Sequence, residues 1–235
     1  MKTVYHDFGF DNLVVKFSTM PEDHVGDLAT WERAEKALAD ACTEAGLSYE
    51  IQPGEGAFYG PKLDINVKPA VGVEYTLSTC QLDFCLPAKF DLKYIDSDGS
   101  EKTPVVLHRA ILGSLDRFMA YIIEETKGKF PVWLAPLQVK VLPVSEKTND
   151  YALKVNEAIA ANGVRTLLDD RNEKIGYKIR EAQMQKIPYM LIIGDKEVEN
   201  GVVAVRSRKG GDLGTMPLAD FKAKVLDEIK NRTRE

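Results

Sequence analysis

Pro104-Val-Val-Leu-His108-Arg-Ala-Ile-Leu-Gly113-Ser-Leu-Asp-Arg117-Phe118-Met119 decides how the first half of the chain is built. The apolar run up to His108 reads as a strand. Leu115, Phe118, Met119, Ile122 and Ile123 then follow a helical period, with the turn at Gly113 and Ser114 between them. Ser114 is therefore the N-cap and Arg117 stands at N3. A capping box would want Glu or Gln there, and the positive end of the helix dipole disfavours a cation by about 0.3–1 kcal/mol. An Arg held against that preference suits a polyanion faced by both the side chain and the helix N-terminus. A solvated Arg fits the same residues.

Upstream, Leu13 to Thr19 is a short strand, and Trp31, Ala34, Leu38, Ala41 and Ala45 keep helical spacing until Gly46. Ser48 to Gln52 and Leu63 to Val67 alternate like strands, Val73 to Leu86 and Lys89 to Ile95 continue them, and Asp98-Gly99 marks a turn. Several strands followed by one long helix imply an antiparallel sheet with helical cover. After Phe130-Pro131-Val-Trp133-Leu-Ala-Pro136 the pattern changes. Strands at Leu137 to Val144, Val164 to Leu168, Tyr189 to Ile193 and Val202 to Arg208 alternate with helices at Asn149 to Ala161, Ile175 to Lys186 and Leu218 to Ile229. Alternating β and α units indicate a second domain with a largely parallel or mixed sheet, and the boundary falls near Ala135.

At 235 residues the chain is long enough for one large or two modest domains. No apolar run approaches the roughly 18 residues of a membrane span. The start, MKTVYHDFGF, lacks the apolar stretch of a signal peptide, so a cytoplasmic protein is expected. Cys42, Cys80 and Cys85 cannot all pair and lack CxxC spacing, which favours reduced, mostly buried thiols. Residues 1–135 carry 13 Lys and Arg against 21 Asp and Glu, a net −8; residues 136–235 carry 18 against 15, a net +3. The second part is the better candidate for binding a polyanion.

Four constellations carry chemistry. In Gly54-Glu-Gly-Ala-Phe-Tyr59-Gly60-Pro61-Lys62 the glycines let backbone approach a ligand, and the turn presents Lys62 as a point charge suited to phosphate. A plain glycine-rich hairpin explains the same residues, and Tyr59 is equally at home as a half-buried strand aromatic. In Thr76-Leu-Ser-Thr79-Cys-Gln81-Leu-Asp83-Phe84, Thr79, Gln81 and Asp83 share one strand face, which either lines a polar pocket or meets solvent. His108 is a metal ligand, a hydrogen-bonded core residue or neither. Finally, Asp169-Asp-Arg171-Asn172-Glu-Lys174-Ile-Gly-Tyr-Lys178-Ile-Arg180 places Lys174 and Lys178 at i,i+4, where like charges oppose a helix unless an anionic partner relieves them. Arg206, Arg208 and Lys209 add a second basic cluster. Asn172 and Glu197, if exposed, suit base-edge hydrogen bonds of the kind used on single-stranded RNA.

Together GEGAFYGPK, TxQLDF, HRAILGSxxRF, FPxWLAPxQV, DxRNEKIGxKIRE, PYMLxxGDKEVExG and VAVRxRxGxDLG, in this order, closely resemble the C-terminal part of bacterial threonyl-tRNA synthetases over nearly the whole chain. The resemblance implies an α+β, partial class II synthetase-like antiparallel sheet core over 1–135. An α/β anticodon-binding domain with a mixed sheet follows over 136–235. It implies a threonine–tRNA ligase that uses ATP with Mg2+ to activate threonine and transfers it to tRNA(Thr), as a homodimer and away from membranes. By similarity, Arg117 grips the ATP γ-phosphate, Lys62 meets the α-phosphate region, and Tyr59, Thr79 and Gln81 line the threonine and adenylate pocket. Thr76 stands where the family sometimes replaces a Gln. His108 corresponds to one of three zinc ligands, the zinc serving to hold the amino and hydroxyl groups of threonine. Val144, Asn172, Lys186, Glu197 and Arg206 match positions at the anticodon, with Lys186 in place of the family's Arg. His6 and His24 do not occupy ligand positions. The family's first two motifs, the other zinc ligands and the editing domain lie outside the matched segments. The expectation is a fragment with exposed apolar sheet edges that binds zinc and ATP poorly and is weak or inactive alone. The alternative is a noncatalytic tRNA-binding module.

Overall fold

The computed structural model describes residues 1–68 and 74–234, so Val73, the start of one expected strand, lies outside the described residues. Two compact units divide between Glu125 and Thr126, which groups the connector 126–135 with the second unit.

The first unit runs through α1 (Lys2–Phe8), β1 (Leu13–Ser18), α2 (Leu28–Glu44), β2 (Glu50–Gln52), β3 (Lys62–Val67), β4 (Tyr75–Asp83), α3 (Leu86–Lys89), β5 (Tyr94–Ile95), β6 (Glu101–Lys102), β7 (Val106–Ala110) and α4 (Leu115–Thr126). Its main sheet has the order β2-β1-β3-β4-β7 and is antiparallel except where β2 joins β1 in parallel. Leu63, Ile65 and Val67 bury one face, where Val15, Leu63 and Ile65 share an apolar cleft with Ala41 and Cys42 of α2. Asp27 starts α2 by accepting the Thr30 N–H at 2.8 Å, and the chain leaves that helix through Gly46.

The expected strand from Lys89 to Ile95 is corrected. Buried Asp83 accepts the N–H groups of Cys85 at 3.0 Å and Leu86 at 2.9 Å, and with Pro87 in the first turn this starts α3; only Tyr94–Ile95 is extended. β7 forms one edge of the sheet, with Leu107 exposed, and Leu115, Met119 and Ile123 form an exposed stripe along α4.

Fully buried Tyr5 ties α1 to the loop that starts α4. Its hydroxyl donates to Ile111 O at 2.8 Å, and the Ser78 hydroxyl donates to the same carbonyl. Tyr5→Phe is expected to lower the stability of this unit by about 0.5–1.5 kcal/mol, because it removes a buried hydrogen bond while Ile111 O keeps the one from Ser78. Urea denaturation followed by circular dichroism checks this, and an unchanged midpoint would contradict it.

The second unit contains β8 (Val139–Pro143), a 3-10 turn (Glu146–Thr148), α5 (Asn149–Ala160), β9 (Thr166–Leu168), α6 (Ile175–Met184), β10 (Tyr189–Ile193), α7 (Asp195–Asn200), β11 (Val202–Ser207), β12 (Gly211–Pro217) and α8 (Leu218–Lys230). The sheet order is β12-β11-β10-β8-β9, with β9, β8 and β10 parallel and β11 and β12 antiparallel. Val139, Val141, Leu191, Ile193, Val203 and Val205 pack with Val155 and Ile159 of α5 and Phe221 and Val225 of α8. Leu142 and Met190 face the other way, onto Ala182 of α6 and Ile187. Among the described residues no helix is long and apolar enough to cross a membrane.

Candidate functional site

Residues paired across a sheet point to the same face, so register decides which side chains meet. Lys62 pairs with Gln81, and Gln81 with His108, which puts three candidate residues in one row across β3, β4 and β7. Asp64 pairs with Thr79 in the next row of the same face, and Asp83 follows Gln81 on it. The glycine hairpin folds over this row. The Tyr59 hydroxyl donates to Gln81 Oε1 at 2.5 Å, and the Tyr59 ring meets the His108 ring nearly edge-on with centroids 5.8 Å apart. Gly60 makes the approach possible, since a Cβ there would lie 1.8 Å from Leu82 O.

The charges of this face are largely paired. Lys62 Nζ lies 2.9 Å from Asp64 Oδ2. His108 Nε2 is bonded to Asp83 Oδ2 at 2.7 Å. Burial pushes the Asp83 carboxyl up, but the bonds from His108 and from the Leu86 and Cys85 N–H groups outweigh it and leave the group below its usual range. Thr79 Oγ1 is buried and has no hydrogen-bond partner among the described residues. Thr76 stands apart, beyond the irregularity at Ile65/Asn66, exposed and donating to Asn66 Oδ1 at 2.8 Å.

Arg117 occupies the first turn of α4 as its sequence implies. The Ser114 hydroxyl accepts the Arg117 N–H at 3.4 Å, and Gly113, with φ 61°, lets the turn pass close to Leu77 O. The Arg117 side chain is exposed and makes no ion pair among the described residues, so no bond ties it to the row of Tyr59, Lys62, Gln81 and His108. His108 is hydrogen-bonded to one carboxylate among the described residues, that of Asp83. Among the described residues no three His, Cys, Asp or Glu side chains stand close enough together to hold a metal. A catalytic zinc takes three protein ligands, so these residues by themselves do not fit one.

In the second unit the candidates divide into two sets. Val144, Asn172 and the Gly194–Glu197 turn follow the C-terminal ends of the parallel strands β8, β9 and β10, the end of such sheets where ligands gather. Val144 and Asn172 are exposed. Glu197 is half-buried instead, because its carboxylate caps α7 by accepting the Gly194 N–H at 2.8 Å. Lys186 precedes the opposite end of β10, has φ 58°, and donates from Nζ to Lys127 O at 2.5 Å. Arg206 pairs with Met190 on β10, and its Nε is buried without a hydrogen-bond partner among the described residues.

The i,i+4 pair Lys174 and Lys178 does not form one charged face: Lys174 stands exposed at the N-cap position of α6 with no side-chain capping bond, whereas Lys178 is buried. A helical period gives spacing but not which face turns inward. Lys140 and Asp169 are buried polar residues that the sequence did not single out; their Nζ and Oδ2 lie 3.1 Å apart.

Residues 1–126 match the family described as tRNA synthetase class II core domain (G, H, P, S and T), and residues 138–228 match the anticodon binding domain. The chain is 52% identical over 228 residues to a threonine–tRNA ligase of Acetivibrio thermocellus, covering 97% of this chain and 36% of that protein. It is 49% identical over 225 residues to one of Alkalilimnicola ehrlichii, covering 96% and 35%. It thus spans about a third of the length of these relatives. A crystal structure of the RNA binding domain of threonyl-tRNA synthetase from Cryptosporidium parvum superposes with a TM-score of 0.90 at 38% identity, covering 96% of this chain and 57% of that one.

Proposed function

The chain belongs to the threonine–tRNA ligase family of class II tRNA synthetases, and from that premise we propose that it is the C-terminal portion of such a ligase. Residues 1–135 then form part of the catalytic core and residues 136–235 the anticodon-binding domain of a cytoplasmic enzyme. In the complete, dimeric enzyme the threonine carboxylate attacks the α-phosphorus of Mg2+-bound ATP and pyrophosphate leaves; a ribose hydroxyl at the 3′ end of tRNA(Thr) then attacks the carbonyl of the adenylate, taking the threonyl group as an ester and releasing AMP.

In this reading Lys62 stabilises charge that develops at the α-phosphate and Arg117 holds the γ-phosphate. Tyr59, Thr79 and Gln81 orient threonine and its adenylate, the unpartnered Thr79 hydroxyl offering a bond to substrate, with Thr76 at the margin. A zinc held by His108 belongs to the complete enzyme, with ligands from outside these residues. Val144, Asn172, Lys186, Glu197 and Arg206 contact the anticodon. The observation that carries the reading is the Lys62–Gln81–His108 row closed over by Tyr59.

The same geometry favours a chain that binds RNA better than it catalyses. Lys62 is paired with Asp64 and Arg117 is exposed without an ion-pair partner among the described residues, so the first must exchange its partner and the second must be ordered before either meets a triphosphate. Threonine-dependent ATP–pyrophosphate exchange and tRNA(Thr) binding are measured on the same chain. The expected outcome is tRNA binding with weak or absent exchange, binding that Arg206→Ala weakens about tenfold and Arg117→Ala leaves unchanged. Rapid exchange would mean that the chain is a ligase by itself. Loss of RNA binding to the wild-type chain would overturn the assignment of the second domain.

A further inference from the structure

Lys178 is 2% exposed, an unusual place for an ammonium group. Two hydrogen bonds hold it there. Nζ donates to Pro143 O at 3.1 Å and to Asp169 O at 2.9 Å. The first carbonyl ends β8 and the second follows β9. Val144 is the next residue after the first, and Asn172 lies three residues beyond the second. One side chain on α6 therefore joins two separate loops, each of which carries a residue assigned above to RNA.

The loop after β9 is fixed from a second side as well. Asp169, 4% exposed, accepts both Arg171 Nε at 2.7 Å and Nη2 at 2.6 Å, and pairs with Lys140 Nζ at 3.1 Å. Arg171 also bonds Glu181 of α6. The residue next to Asn172 is thus held by a bidentate pair with Asp169 in its own loop and by a single bond to the helix that carries Lys178. Stability alone does not call for such a lysine. A buried charge is commonly replaced by an apolar side chain of similar volume with little loss, so Met would fill this space. What an ammonium adds is directional donors that reach two carbonyls at once.

We propose that Lys178 is a positioning residue for RNA recognition: it sets the separation of the Val144 and Asn172 loops so that both address one nucleotide segment. The inference rests on the reading of the second domain as an anticodon binder and deepens it. It also gives the KIGYK run of the sequence a task that a charged helix face would not have.

Lys178→Met in the full chain tests this by two independent readouts. Amide hydrogen exchange is expected to rise at least tenfold in the 144–146 and 170–174 segments together, while the β10 and β11 amides stay as protected as in the wild type. Binding of a tRNA(Thr) transcript is expected to weaken about tenfold, and Asn172→Ala is expected to weaken it further in the wild-type background but less than twofold in the Lys178→Met background. A side chain that served stability alone would leave the Asn172→Ala factor the same in both. Unchanged exchange in either loop overturns the inference whatever the RNA result. If the loops loosen but the wild-type chain binds no RNA, the failure lies with the domain reading, and the claim that the two loops address RNA falls with it. Should Lys178→Met not fold, Arg171→Lys, which keeps the charge but not the fork, supplies the same two readouts for the Asn172 loop. Unchanged exchange and binding there contradict the clamp.

Discussion

Asp169→Ala is expected to destabilise the second unit by about 3–5 kcal/mol, because it leaves the Lys140 ammonium buried without its nearest carboxylate partner. Lys140 is 3% exposed, so water cannot replace what is lost, and Glu181 at 3.4 Å is a weaker substitute already bonded to Arg171. Urea denaturation of the full chain, followed by circular dichroism, would show the loss as an earlier transition of one unit. A shift under 1 kcal/mol would mean that the network is ornamental. The same carboxylate carries a pH signature. Arg171, and with it Lys140, hold the Asp169 carboxyl well below the usual carboxylate range against the opposing effect of burial. The unfolded chain takes up that proton near pH 4 and the folded chain only at lower pH. Its contribution is therefore complete above about pH 4 and is lost as pH falls through the folded value, a limb that Asp169→Asn would flatten.

Gly60→Ala is expected to be the most damaging single change in the first unit. The added Cβ would sit 1.8 Å from Leu82 O, which is backbone in a paired strand and cannot turn aside. Overpacking of this kind costs about 3 kcal/mol or more, and relief requires the hairpin to lift off β4. Lifting it breaks the Leu82 N–H to Pro61 O bond at 3.1 Å and withdraws Tyr59 from Gln81. Tyr59→Phe, which removes only the hydroxyl, should be far milder. Equal thermal stability of Gly60→Ala and the wild type would show that the hairpin does not rest on the sheet as described.

What could be read from the sequence was periodic and local. The run from Pro104 to Met119 fixed a strand, a turn and a helix because its apolar spacing changes from a strand's to a helix's at Gly113, and the Ser114 cap is present in the structure. The second unit was legible for the same reason, since Tyr189–Ile193 is a continuous apolar run and Val139–Pro143 is apolar except for Lys140, each bounded by turns. α7 and β12 were not foreseen. The first is six residues long, and the second contains Gly211 and Gly214, which give no strand pattern to detect. The failed strand after Leu86 has a nonperiodic cause, the Asp83 carboxylate turning back onto two N–H groups.

The candidate sites divide along the same line. Lys62, Gln81 and His108 each stood out by type, but their common row is a matter of register between strands far apart in sequence. The Asp83–His108 bond and the burial of Lys178 are likewise long-range facts: Lys178 answers to carbonyls 35 and 9 residues away. Spacing alone presented Lys178 as half of a repelling surface pair.

Fluorescence anisotropy with two labelled transcripts, tRNA(Thr) and the same molecule with its anticodon bases exchanged, bears on all of this at once. The account predicts that the chain prefers the unaltered transcript by at least tenfold, with affinity falling as salt rises. Equal affinity for both transcripts at every salt concentration would contradict it, because phosphate attraction alone would then explain the binding.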